Sequence, residues 1–184
     1  MATGGSQDGD IKLFDIETGK ELRSIDGGSG ATWALRYSGD GKSVVASHAN
    51  RAVRAYSTSE GTLLKNIDDL PGFNSSTYDL SKDGKYMATW LPGDGVVLID
   101  MKSWTSSRIE TEDEGAGLVS ISPTSRHLVT AVGTKLRVYE IETRKEVIAF
   151  DDIPIGSRPA WLADGSGLVV AGSDGNILIF GKGK

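Results

Sequence analysis

Few side chains in this sequence could do chemistry unaided. It holds two histidines and no cysteine, which excludes a thiolate zinc site, a disulfide framework and a cysteine nucleophile. His48 falls in the turn Ser47-His48-Ala49-Asn50 and His127 in the strand Arg126-His127-Leu128-Val129. A catalytic histidine needs a nucleophile and an orienting carboxylate converging on it. No spacing here brings such groups together, so both histidines read as exposed turn or strand residues. Gly27-Gly28-Ser29-Gly30 has the glycine density of a phosphate cradle, but no helix pattern follows and no lysine stands at the right place. It reads as a flexible connection. There is no G-x-S-x-G elbow, P-loop or dinucleotide fingerprint. Asp8, Asp10, Asp94 and Asp174 occupy equivalent turns. Carboxylates repeated this way could ring a central metal, but a turn aspartate more often accepts hydrogen bonds from its own backbone. The chain is therefore expected to hold no catalytic, cofactor or metal site.

The elements that would carry these residues are short strands. Of 184 residues 24 are glycine and only 5 proline, nearly twice the ordinary glycine share of about 7%. That composition argues for many tight turns and against a helical bundle. A net charge of −5 disfavours nucleic acid and anionic membrane as partners. No apolar run approaches 18 residues, and the amino terminus lacks a basic segment followed by an apolar one. On those grounds a soluble, cytoplasmic chain is expected.

One cadence recurs along the sequence. Ile11-Lys12-Leu13-Phe14-Asp15 returns as Val53-Arg54-Ala55-Tyr56-Ser57, Val96-Val97-Leu98-Ile99-Asp100, Leu136-Arg137-Val138-Tyr139-Glu140 and Ile177-Leu178-Ile179-Phe180-Gly181. The steps between Asp15, Ser57, Asp100, Glu140 and Gly181 are 42, 43, 40 and 41 residues. A period of about 40–45 is that of a four-stranded propeller blade. The pattern predicts strands at about 31–38, 43–48, 52–57 and 62–67, then 75–80, 85–90, 95–100 and 105–110, then 117–122, 127–132, 135–140 and 145–150. Asp40-Gly41, Asp83-Gly84 and Asp164-Gly165 supply the hairpin turns between first and second strands.

The pattern resembles the WD-repeat β-propeller family over essentially the whole chain. Phe14-Asp15 stands where that family has Trp-Asp, and Tyr56-Ser57, Ile99-Asp100 and Tyr139-Glu140 are degenerate forms. Ser173-Asp174-Gly175 matches the turn before the third strand. No unit carries the family's Gly-His dipeptide or its third-strand tryptophan, so its buried Asp–His–Ser/Thr–Trp network is incomplete in every blade. The expected fold is all-β, with about four and a half blades of four antiparallel strands. A partial blade spans 1–30, whole blades 31–72, 73–115 and 116–157, and a second partial blade 158–184, as part of a larger propeller. Residues 1–25 would lack a first strand and 158–180 a fourth. Open strand edges invite pairing, so self-association or completion by a missing remainder is expected.

Tyr37, Leu80, Ile121 and Trp161 share one place in the first strand, with Leu35, Tyr78 and Val119 two residues earlier on the same face. These should be buried between blades. Trp33 and Trp90 fall near loops and read as exposed anchors of a binding surface. The loops between blades carry Asp26, Asp68, Asp69, Glu110, Glu112, Asp113, Glu114, Asp151 and Asp152, against Arg51, Lys135 and Arg158 in the loops of the same face. The candidate partner-binding face is therefore Trp33, Asp68, Asp69, Trp90, Glu112, Asp113, Glu114, Asp151 and Asp152, fitted to a basic segment of a protein partner. The resemblance implies a non-catalytic protein-interaction module or scaffold. The alternatives are a propeller hydrolase using carboxylates at the central channel, for which Asp10, Asp94 and Asp174 would have to converge, and a structural segment completing a larger propeller.

Overall fold

The computed structural model describes residues 1–5, 9–28, 30–49, 52–68, 78–91, 93 and 95–181. Two compact units divide the chain, residues 1–76 and 77–184. The described residues form eighteen strands and no helix. In particular, no helix is long and apolar enough to cross a membrane.

The first unit holds two sheets. β1 (Ala2–Gly4), β2 (Ile11–Phe14) and β3 (Glu21–Ile25) form one, and β4 (Thr32–Tyr37), β5 (Ser43–His48), β6 (Val53–Ser57) and β7 (Leu63–Ile67) the other. Alternation decides which side chains they bury. Ile11, Leu13 and Ile25 from the first sheet meet Val44, Ala46 and Tyr56 from the second, with Ala2 and Leu35 at the margin.

The second unit holds three sheets. The first runs through β8 (Tyr78–Leu80), β9 (Tyr86–Leu91), β10 (Gly95–Asp100) and β11 (Thr105–Ile109). Next come β12 (Gly117–Ile121), β13 (His127–Val132), β14 (Lys135–Glu140) and β15 (Glu146–Phe150), then β16 (Ala160–Trp161), β17 (Gly167–Ala171) and β18 (Ile177–Gly181). One core joins the first two sheets through Trp90, Leu98, Ile109, Val119, Leu128 and Tyr139. Another joins the last two through Val129, Leu136, Val138, Leu168 and Val170, with Phe150, Trp161 and Phe180 half-buried beside it. Every strand pairs antiparallel with its neighbours in sequence, so each sheet is a meander.

The turns show why the register holds. In the β4–β5 hairpin the Asp40 carboxylate accepts from the Ser38 hydroxyl at 2.7 Å and from Lys42 N–H at 3.0 Å, while Ser43 N–H donates to Ser38 Oγ at 3.0 Å. Ser81, Asp83 and Tyr86 repeat the motif between β8 and β9. Gly41, Gly84 and Gly165 take φ of 68°, 70° and 74° in these hairpins, the left-handed region that lacks a Cβ penalty. In the β12–β13 hairpin Ser125 takes the same conformation at φ 56°, with no glycine available.

Two packing expectations need correction. Tyr78, Val119 and Ile121 are buried, but Tyr37 is 40% exposed and Leu80 and Trp161 only half-buried. Leu35, two residues earlier on that face, reaches the core between the two sheets of the first unit, whereas Tyr37 stands outside it. The sheet of β8–β11 does cover β12. His48 was expected in an exposed turn. It ends β5 instead and is 1% exposed, because Thr32, Tyr56 and Gly27 close over its ring.

Candidate partner-binding face

The acidic loops are built on two third strands that share one motif, Arg-x-Tyr: Arg54 and Tyr56 on β6, Arg137 and Tyr139 on β14. Across the sheet Arg54 stands opposite Asn66 of β7 and Arg137 opposite Ala149 of β15.

In the second unit the loop after β11 carries Glu110, Glu112, Asp113 and Glu114. Its far end is fastened to the core. Trp90 is 1% exposed and its indole N–H donates to Gly115 O at 2.8 Å. A Cβ on Gly117 would lie 2.5 Å from the indole ring, so the ring seats on a bare backbone. Trp90 is thus no exposed anchor: it is a core residue whose one polar atom holds the loop. Nor is Asp113 a free surface acid. Its side chain is 6% exposed and lies 2.9 Å from Lys135 Nζ and 3.8 Å from Arg137 Nε. Burial of a carboxylate is tolerated only with partners, and these two cations are the reason it turns inward.

Arg137 is the hub. Its Nε is 3.6 Å from Glu146, its Nη2 donates to Asp151, and its Nη1 donates to Phe150 O at 2.8 Å. Its bond to Asp151, with the nearby carboxylates Asp113 and Glu146, holds the guanidinium above its usual range. Lys135 is likewise raised by its bond to Asp113. Tyr139, beside them, is pushed up to about 12, first by burial and then by the charges of Glu146 and Asp113. A polar cleft of about 470 Å³ opens over these groups. Glu110, Glu112, Glu114 and Asp152 stand exposed at or near it, and among the described residues none has a hydrogen bond or ion pair.

In the first unit the arginine meets a backbone oxygen instead. Arg54 Nη1 donates to Gly27 O at 2.9 Å, and the Tyr56 hydroxyl donates to the same oxygen at 3.0 Å. Arg54 also reaches Asn66 at 3.2 Å and Asp68 at 3.4 Å. His48 lies 3.4 Å from the Tyr56 hydroxyl and 3.4 Å from Thr32 Oγ1. Burial, then the charge of Arg54, draws the imidazole down to about 4, so it is neutral at pH 7. Asp26 accepts from Gly28 N–H at 2.8 Å, a contact within its own turn.

The remaining candidates are placed as follows. Trp33 is 48% exposed on β4. Asp68 and Asp151 are exposed and paired to the arginines of their own sheets, and Asp152 is exposed at φ 58°. Asp69, Asp8, Asp94 and Arg51 lie outside the described residues. Asp174 accepts from Asn176 N–H at 3.1 Å and from its side-chain amide at 2.9 Å, the turn role expected of it. Those bonds hold its carboxyl below the usual range. The structure brings together Asp113 and Asp151 through Arg137. Sequence reasoning missed Arg54 and Arg137 as organisers, although Arg-x-Tyr at 54/56 and 137/139 stood in equivalent repeats.

Antiparallel sheets of this build, one after another along the chain, are the blades of a β-propeller. No family model matches the chain, and no curated protein matches it. Among solved structures it matches the β-propeller domain of Cps50 (Swd1) from Myceliophteria thermophila, with a TM-score of 0.77 and 17% identity. The match covers 100% of this chain and 62% of that one. The chain thus spans about three-fifths of the length of the propeller it matches. The all-β propeller fold read from the repeat is borne out by this likeness, which at such identity speaks for the fold alone.

Proposed function

We propose that the chain is a non-catalytic protein-interaction module that takes a basic segment of a partner on the loop between β11 and β12. The observation that supports this is the division of labour among its acids. Asp113 is spent on Lys135 and Arg137, and Trp90 ties down Gly115. The loop is thereby held while Glu110, Glu112 and Glu114 are exposed and, among the described residues, have no cation paired to them. Fixed, unpaired charge of one sign attracts a partner of the other and speeds its encounter. The hydrolase alternative gains no support from Asp174, whose carboxylate is occupied within its turn.

A lysine- and arginine-rich peptide tests the reading. Its association rate with the protein should fall about tenfold between 50 and 300 mM salt, as steering is screened. Changing Glu110, Glu112 and Glu114 together to Gln should lower the low-salt rate by a similar factor and flatten the salt dependence. An association rate that ignores both would overturn the proposal.

A further inference from the structure

The cleft beside the acidic loop is a groove along one face of β14 and β15. Lys135, Arg137 and Tyr139 alternate onto that face of β14, with Ala149 opposite Arg137 and Glu146 opposite Tyr139 on β15. At the Lys135 end stand Glu110 and Glu112, from the loop after β11. At the other end stands Arg144, in the turn between β14 and β15. The groove lies within the second unit, between two sheets that each have four strands.

Along its floor the charges are already spent. Lys135 holds Asp113, and Arg137 lies among Asp113, Glu146 and Asp151. What is left over stands at the two ends and has opposite sign. Glu110 and Glu112 are exposed, with no cation paired to them among the described residues. Arg144 is exposed too, and among the described residues its guanidinium has no hydrogen bond or ion pair. Nothing in its turn calls for an arginine. Its N–H donates to Glu140 O at 2.8 Å, just as Gly19 N–H donates to Asp15 O and Gly61 N–H to Ser57 O in the matching turns of other sheets. All three residues take positive φ, 58°, 69° and 75° in that order. On the groove wall the Thr111 hydroxyl is shut off from solvent and has no hydrogen-bond partner. Buried hydroxyls are normally paired, and a peptide backbone in the groove would bring donors and acceptors to that wall.

We infer that the groove takes an extended segment of a protein partner that carries charge of both signs, a basic residue against Glu110 and Glu112 and an acidic residue against Arg144. It rests on the proposed role of the acidic loop and adds to it a second charge and a spacing. From the level of Lys135 to that of Glu140 is five strand steps, about 16 Å. An extended chain covers that distance in about five residues, so the partner's two charges stand about that far apart. A uniformly basic segment would set a cation against Arg144, and a uniformly acidic one would set carboxylates against Glu110 and Glu112. Like charges brought together count against both. The groove therefore selects on where the partner's charges are placed as well as on their sign.

Two peptides of one composition test this by titration calorimetry at low salt. In the first, a pair of lysines and a glutamate stand about five residues apart on a chain of Ala, Ser and Gly. In the second, the glutamate adjoins the lysines. Each is made with the charges in both orders along the chain. The spaced peptide should bind about threefold more tightly in at least one order, the scale of an exposed ion pair. Arg144→Gly suits the left-handed φ of that turn and so keeps the fold. It should erase the advantage and leave the affinity of the adjacent-charge peptide unchanged. Glu110→Gln with Glu112→Gln should weaken both peptides. Equal binding of the two peptides, or an advantage that survives Arg144→Gly, overturns the inference, and the loop reading stands if binding still depends on Glu110 and Glu112. If neither peptide binds, or if binding ignores both glutamates, the loop reading falls and the inference falls with it.

Discussion

Arg54 on β6 and Arg137 on β14 begin from the same sequence motif and end in different chemistry. Each is about nine-tenths buried, and each pairs with an aspartate just past its own fourth strand, Asp68 or Asp151. The difference comes from the preceding loop. For Arg54 that loop offers Gly27 O, a neutral acceptor shared with Tyr56. For Arg137 it offers Asp113, a buried carboxylate that also holds Lys135. The first arrangement leaves a dipole if the arginine is removed; the second leaves a charge. A neutral acceptor can be re-satisfied by the hydroxyl already bonded to it, while a buried charge cannot. One repeat thus uses its arginine as a hydrogen-bonding strut and the other as the counter-ion of a surface loop.

The comparison is broken most directly by deleting the arginines. Arg137→Met should cost about 3 kcal/mol, because it strips Asp113 of one cation. Arg54→Met should cost about 1 kcal/mol, the scale of an ordinary hydrogen bond. Equal losses in urea titrations would show that the two loops do not differ as described. Within the acidic loop, Asp113→Asn should cost about 2 kcal/mol by leaving charged donors under-satisfied. Glu112→Gln with Glu114→Gln should stay within about 0.5 kcal/mol, as exposed unpaired sites do. Thermal unfolding of the variants side by side distinguishes these cases.

A pH-dependent contrast comes from His48, which has no counterpart beside Arg137. Its folded value of about 4 lies below the ordinary 6.5, so the unfolded chain takes up the proton first. The stability tied to the neutral ring is complete above about pH 6.5 and is lost as pH falls towards 4. Between pH 7 and pH 5.5 the loss should be about 1 kcal/mol. His48→Gln should show a shallower fall over that window, and an unchanged slope would place the titration elsewhere.

Strands and hairpins were legible in the sequence because their causes are local. The 40–43-residue step, period-two alternation and Asp-Gly turns placed β4–β7 and β9–β15 within a residue or two at each end. What escaped was decided by neighbours distant in sequence. Trp90 looked like a surface anchor because it sits near a strand end. It is buried because Gly117, on another sheet, has no side chain where the indole lies. Asp113 looked like one acid among four, and only the approach of Lys135 and Arg137 singles it out. His48 lost its exposed turn to Thr32 and Tyr56. The exposure of Tyr37 depends on what is packed on its face, which no pattern within β4 encodes.

The meander of each sheet has a consequence for how the chain reaches its structure. Every ladder joins strands that follow one another in sequence, and the turns between them are only a few residues long. Closing such a short loop carries a small entropic cost, and that cost rises only slowly with length. Sheet proteins are slow to fold chiefly when their pairings are remote along the chain. Here each ladder can zip from its own turn, with Asp40 and Asp83 already bridging the backbone there. The search for register is local in every sheet, and the slow steps fall instead to the docking of one formed sheet on the next.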